Sequence, residues 1–315
     1  MSEPVTTQFS PSGPLRLGPR PPDELVVPPS VSSGVVERLE LVLREADELR
    51  NELNALRRRD ETLNYYMHRL DEELRLAARL QQDFLPKTLP QLGPVHFHTL
   101  FRPAGYVSGD LYDIMRLDEK HIGFYIADAV GHGMPAALLT MFIKHAMVTK
   151  EISGNSYRLL GPGETLSRLN SALIDQNLSQ AAFATALYGM IDVETLEVTV
   201  ARAGHPNPLL IEADGTIETV GCEGPLLGIF PDEKFEDIHF QLKRGQRLIL
   251  YTDGVEVAFT DDGALECQQW REELQNRVSL PCDQLLSELA ARIDTEIGSL
   301  EPKDDLTVVI LEVKP

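Results

Sequence analysis

Ile122-Gly123-Phe124-Tyr125-Ile126-Ala127-Asp128-Ala129-Val130-Gly131-His132-Gly133 joins an apolar strand, an aspartate at its end and a glycine-flanked histidine. Pro135 follows, a residue suited to the first turn of a helix. The glycines let backbone come close to whatever Asp128 faces, because they carry no Cβ. Three further aspartate-centred islands stand elsewhere: Ser108-Gly109-Asp110, Thr252-Asp253-Gly254 and Asp304-Asp305. Each lies at the end or edge of a hydrophobic run that reads as a strand. Strand ends are rigid, so side chains placed there can converge from distant parts of a chain. Convergent carboxylates with little Lys or Arg nearby repel one another in a partly buried site, and divalent cations with oxygen ligands relieve that repulsion. Taken singly, Asp253-Gly254 reads as a turn and Asp304-Asp305 as a loop before a strand. The conjunction of islands points to a metal site.

Outward from this stretch, strands and helices alternate over residues 87–315. Val95–Phe101 alternates, with His96 and His98 on one face. Leu111–Leu117 and His121–Ala127 form a hairpin turning at Asp118-Glu119-Lys120. Helices are expected over Pro135–Lys150 and Gly163–Asn177, then strands at 183–192, 195–203 and 207–212 with a turn at Asp214-Gly215. Gln241–Leu242 leads to the strand Arg247–Thr252, helices follow near 268–277 and 283–298, and Leu306–Val313 closes as a buried strand. Strands come in hairpins and helices in pairs, which favours an α+β fold of antiparallel sheets covered by helices.

The N-terminal side differs in kind. Residues 1–34 hold eight prolines and no hydrophobic period, so a disordered or extended segment is expected. From Val35 to Phe84, steps of four and three alternate over fifteen positions, thirteen of them apolar, with Asp60 and Gln81 the exceptions. A period of 3.5 held this long is a coiled-coil signature. The helix would be roughly 75 Å long, and Pro86 stops it. A helix of 35–86 is therefore expected to pair with a second copy of the chain, with Asp60 beside Arg57-Arg58-Arg59 weakening its middle.

Composition narrows the function. The formal charge is −20, and after residue 86 there are 18 Lys and Arg against 34 Asp and Glu. Such a surface disfavours the phosphate backbone of nucleic acids. No apolar run approaches the roughly 20 residues of a membrane span, and the N-terminus lacks the apolar core of a signal peptide. Cys222, Cys267 and Cys282 stand at unrelated spacings. They fit a reducing cytoplasm better than a disulfide framework or a zinc site.

Eight blocks in order carry a resemblance across residues 76–313. They are Leu80-Gln81-Gln82-Asp83-Phe84-Leu85-Pro86, Ser108-Gly109-Asp110-Leu111-Tyr112-Asp113, the Asp128–Gly133 block with Ala136-Ala137-Leu138, and Phe183-Ala184-Thr185. Ala203-Gly204-His205-Pro206-Asn207-Pro208, Pro225-Leu226-Leu227-Gly228, Leu250-Tyr251-Thr252-Asp253-Gly254-Val255-Glu256 and Lys303-Asp304-Asp305-Leu306-Thr307-Val308-Val309 complete them. This order resembles the SpoIIE/RsbU-like branch of the PPM family, the metal-dependent serine/threonine phosphatases of the 2C type. The resemblance implies an αββα sandwich of two antiparallel sheets flanked by helices. It also implies two divalent ions, Mn2+ or Mg2+, that activate a bridging water for in-line attack on phosphorus. Carried over, Asp128 bridges the ions with help from the Ala129 carbonyl. Asp110, Asp253, Asp304 and Asp305 are the further metal residues, and Asp305 stands where eukaryotic relatives more often have Asn. His132 and His205 are candidate proton donors or groups that hydrogen-bond around the site. In such phosphatases the helix before the domain is a regulatory lever, which assigns regulatory roles to Gln82, Phe84 and Leu85. The implied substrate is a phosphorylated STAS-domain anti-anti-sigma factor in a cytoplasmic partner-switching pathway, and a regulatory protein on the coiled coil is a further expected partner. Two other readings are weighed: a non-catalytic dimeric scaffold, and a nucleotide-processing enzyme suggested by Gly109-Asp110. Retention of the aspartates speaks against the first, and the remaining blocks against the second.

Overall fold

A computed structural model describes residues 33–178, 183–259, 266–296 and 304–314. The disorder expected before Ser33 therefore lies outside the described residues. The period-3.5 stretch forms one helix, α1 (Ser33–Phe84). Contacts divide the chain after His68, so residues 69–84 of α1 group with the rest of the fold. Within residues 33–68, the seam positions Val35, Leu39, Val42, Leu49, Leu53, Leu56, Leu63 and Met67 all leave about half of their surface or more exposed.

β1 (Val95–Arg102) buries Val95 and Phe97, with His96 and His98 alternating to the other face. β2 (Asp110–Arg116) and β3 (His121–Ala129) form the expected hairpin. Asp118 closes it, its Oδ1 accepting the N–H groups of Lys120 and His121 at 2.8 Å each. α2 (Met134–Ala146) opens behind Gly133 with proline in its first turn. It ends short of the expected Lys150, because β4 (Lys150–Ser153) and β5 (Ser156–Leu159) turn back as a small hairpin. Gly154 supplies the positive φ at that turn. The short, mixed-polarity arms of this hairpin carry no clear strand period, so the sequence reading assigns no element to residues 151–159.

α3 (Pro162–Asp175) precedes the strands β6 (Ala184–Asp192), β7 (Glu197–Ala203), β8 (Leu209–Ile211), β9 (Ile217–Thr219), β10 (Ile238–Gln241) and β11 (Arg247–Tyr251). The chain then forms α4 (Asp253–Ala258), α5 (Glu266–Gln275), α6 (Cys282–Glu296) and β12 (Leu306–Val313). One antiparallel sheet runs β1-β12-β11-β8-β9, and the other β10-β7-β6-β3-β2. The core between them joins Ile122, Phe124 and Ile126 of β3 to Leu248 and Leu250 of β11 and Val309 and Leu311 of β12. The alternate residues of the same strands face outward onto helices. Tyr125 and Ala127 meet Ala136, Leu139 and Ile143 of α2 with Leu166 and Leu169 of α3. Ile249, Val308 and Ile310 meet Trp270, Leu285 and Leu289 of α5 and α6. Each such Leu, Ile or Phe contributes roughly 1.5–3 kcal/mol on burial. The result is the expected αββα order of layers. No helix among the described residues is long and apolar enough to cross a membrane.

Candidate active site

Sheet register brings the islands together. Asp110 opens β2 opposite Asp128 near the end of β3, and Asp128 in turn pairs with Thr185 of β6. On the facing sheet, Thr252 ends the β11 run and Thr307 lies early in β12. The two are locked by Thr252 N–H donating to Thr307 O and Thr307 N–H donating to Thr252 Oγ1, both at 3.0 Å. Asp253 heads α4, and Asp304 and Asp305 lead into β12. Asp128, Ala129, Gly131, His132, Asp253, Asp304 and Asp305 line one cleft of about 780 Å³. Gly254 makes this convergence possible. A Cβ there would stand 1.9 Å from the Asp305 carbonyl oxygen, so any other residue would push α4 away from β12.

Among the described residues, no lysine or arginine lines the cleft. Burial first, and then the charges of Asp253, Asp304 and Asp305, push the Asp128 carboxyl up to about 8. Burial and the neighbouring Asp304 also raise Asp253. Carboxylates so placed are under repulsive stress, and the donor set is oxygen only. That combination fits hard divalent cations.

Two expected ligands have oxygens already engaged by other groups of the chain. Asp110 is fully buried and is not among the cleft-lining residues; its Oδ2 accepts from Thr252 Oγ1 at 2.7 Å and Thr307 Oγ1 at 2.6 Å. Burial, then the charge of Asp128, raises its pKa well above the usual carboxylate range. Asp110 therefore ties the two sheets together behind Asp128. Asp305 reaches the cleft, yet both its oxygens accept backbone N–H groups, from Ala104 at 2.7 Å and Gly109 at 2.5 Å. It fixes the loop that enters β2. Asp128, Asp253 and Asp304 are left as the carboxylates presented to the opening.

His132 is exposed at the mouth, between Gly131 and Gly133, which both take positive φ. His205 is buried beneath the site with Nδ1 2.8 Å from Thr185 Oγ1. Burial, then the Arg202 charge, pushes its pKa down to about 3, so it stays neutral and packs as part of the sheet edge.

The end of α1 touches this machinery through Gln81. Gln82 and Phe84 are exposed, and Leu85 is half-buried against the core. Gln81 is buried instead: its Nε2 donates to Ser108 O at 2.6 Å, and its Oε1 accepts from Ser108 N at 2.8 Å. The hydrogen bonds that join α1 to Ser108 are thus made by Gln81, one residue before Gln82. A polar residue in an apolar seam was the signal for it. The Thr252 and Thr307 partners of Asp110 had no such signal, since a threonine in a strand usually means only β propensity.

The profile of the stage II sporulation protein E (SpoIIE) family matches residues 118–314, more than half of the chain. The chain belongs to the SpoIIE family. Among this SpoIIE-family chain's relatives is the phosphoserine phosphatase RsbU of Bacillus subtilis (strain 168), 27% identical over 255 residues, which span 81% of this chain and 74% of RsbU. The SiaA-PP2C domain of Pseudomonas aeruginosa shares its fold at a TM-score of 0.67 with 20% identity, over 78% of this chain and 98% of that one. The catalytic domain of the serine threonine protein phosphatase PstP, solved in complex with 2 manganese ions, matches at a TM-score of 0.50 and 14% identity, over 70% of this chain and 99% of that one. The SpoIIE-family domain here is thus a PP2C-type fold, homologous to phosphoserine phosphatases.

Proposed function

We propose that the protein is a metal-dependent phosphoprotein phosphatase that hydrolyses phosphoserine or phosphothreonine on a STAS-domain protein. The observation that carries this reading is the open cleft where Asp128, Asp253 and Asp304 converge, with no lysine or arginine among its described lining residues. RsbU's description as a phosphoserine phosphatase and the manganese of PstP support it. Two divalent ions, Mn2+ or Mg2+, would be held by these three carboxylates beside the Ala129 carbonyl, supplying a water nucleophile of lowered pKa and offsetting phosphoryl charge.

The chain's own groups do the rest. Asp305 holds the 104–109 loop, so the cleft wall is set before substrate arrives. Asp110 and its threonines keep the two strand ends at a fixed separation. His132 protonates the seryl oxygen as the phosphorus–oxygen bond breaks, leaving a serine hydroxyl and inorganic phosphate. An exposed mouth suits a phosphorylated residue carried on a folded protein. The exposed seam of α1 fits a parallel second copy, and a regulatory protein is the other occupant to test. Gln81 gives α1 a grip on Ser108, next to the Asp305-bound Gly109.

The test is phosphate release from a phosphorylated STAS protein with and without Mn2+, for the unmutated chain and Asp128→Asn. Metal-dependent turnover that Asp128→Asn abolishes, with circular dichroism unchanged, is expected. Absence of turnover on every phosphorylated STAS protein of the source organism would instead favour a binding scaffold. Sedimentation of the full chain at micromolar concentration is expected to give a dimer, and a monomer would remove the coiled-coil pairing.

A further inference from the structure

At the other end of β12, three residues of different ligand chemistry meet. His98 comes from β1, Glu312 from β12 and Cys282 from the start of α6. Their ligand atoms lie within 4.8 Å of one another. We propose that His98, Cys282 and Glu312 form a second metal site, of zinc type, separate from the catalytic cleft and independent of its chemistry.

The cluster is held by neighbours that point its ligand atoms inward. His98 Nδ1 stands 2.6 Å from Asp283 Oδ1, so the proton of a neutral ring belongs on Nδ1 and the lone pair on Nε2. A histidine whose far nitrogen is held by a carboxylate is the arrangement that orients and strengthens an imidazole ligand. Nε2 is buried and without a hydrogen-bond partner, although Glu312 Oε2 is 3.4 Å away. Two acceptors face each other there; Glu312 also takes a hydrogen bond from the Cys282 thiol, and a cation would replace that proton while satisfying Nε2. The other oxygen of Glu312 lies 3.5 Å from Arg247 Nε. Arg247 also donates to Val278 O at 3.0 Å and Leu280 O at 2.9 Å, fixing the turn that delivers Cys282. Cys282 itself is buried against the sheet.

The donor set selects the metal. A thiolate, an imidazole and a carboxylate suit Zn2+, whereas Mn2+ and Mg2+ prefer oxygen alone. Tetrahedral zinc needs ligand atoms roughly 3.3–3.8 Å apart, so side-chain rotations closing the present spread by about 1 Å suffice. Three protein ligands leave the fourth position of a tetrahedral ion to water. Cys282 gives up its proton to solvent on binding.

Metal content of the full chain, equilibrated with Zn2+ under excess Mg2+ and then desalted, tests the proposal. With excess Mg2+ competing for the carboxylate cleft, one zinc per chain that Cys282→Ser removes is expected from the second site. Co2+ in place of Zn2+ should give an intense near-ultraviolet sulfur-to-cobalt band on the unmutated chain. Cys282→Ser and His98→Gln should each weaken binding at least 100-fold and remove the band, and Asp283→Asn should weaken it roughly 10-fold. Cys222→Ser, which alters the other buried free cysteine among the described residues, should leave both readouts intact. A chain without a cobalt–sulfur band, or a band that survives Cys282→Ser, overturns the site and leaves an ion-pair network in its place.

Discussion

The two ends of β12 hold polar clusters of opposite character, roughly 23 Å apart at about 3.3 Å per residue from Asp305 to Glu312. The cleft end is open and rich in carboxylates, with no lysine or arginine among its described lining residues. The far end is small and mixed, with nitrogen, sulfur and oxygen donors braced by Arg247 and Asp283. One strand thus presents two donor sets, and ligand type, more than charge, separates them. The open cluster stores repulsion that a hard cation relieves. The far cluster leaves a buried nitrogen unsatisfied, which a soft-ligand cation would cap.

Substitutions at the catalytic end should act through charge, and those around it through geometry. Asp128→Asn should lower phosphate release about 10³-fold, measured as kcat on a phosphorylated STAS protein. An effect below tenfold would mean that Asp128 does not sit at the reaction. Gly254→Ala should cost about 3 kcal/mol in urea unfolding, with loss of activity, because its Cβ meets the Asp305 carbonyl at 1.9 Å. A neutral result would show that α4 has room to move and that the cleft is not set by that contact.

The pH dependence sharpens the contrast further. With its folded pKa raised to about 8, Asp128 holds a proton in the native state that the unfolded chain gives up near the ordinary aspartate value. Its contribution to stability is complete below about pH 4 and is lost as pH rises through about 8. Metal-free protein should therefore lose on the order of 5 kcal/mol over that window. Asp128→Asn should flatten the slope, and saturating Mn2+ should reverse it by binding the ionised form. Chemical denaturation at several pH values, in chelator, is the measurement.

Thr307→Val takes one donor from the buried Asp110 and should cost about 1–3 kcal/mol without abolishing metal binding. Strong loss of Mn2+ affinity would instead place Asp110 among the ligands. Gln81→Ala removes the two bonds to Ser108 and should cost about 1–2 kcal/mol. The comparison with Gln82→Ala, expected to be near neutral, checks that the grip lies at position 81.

Much of the fold was legible because its signals are local. The β2–β3 hairpin announced itself by alternation and an aspartate turn, and the long helix by its unbroken 3.5 period. The β4–β5 hairpin escaped because its arms are short and its residues mostly exposed. In the candidate site, Asp128, Asp253 and Asp304 were found from their places at strand ends. Asp110 and Asp305 were recognised by the same signal, yet the roles of their oxygens depend on Thr252, Thr307, Ala104 and Gly109, which sequence spacing does not link to them.

The sequence by itself determined that strand-end aspartates would gather and that residues 35–84 would be helical, because periodicity and turn chemistry act over a few residues. Tertiary structure alone decided which carboxylates face the cleft and which are tied behind it. It also joined His98, Cys282 and Glu312, whose neighbours in chain order are 184 and 30 residues apart. Their meeting depends on the antiparallel register of β1 with β12 and on where α6 lands, and no local pattern encodes either. The three cysteines looked unsuited to a zinc site for the same reason: the companions of Cys282 come from strands, not from another cysteine nearby.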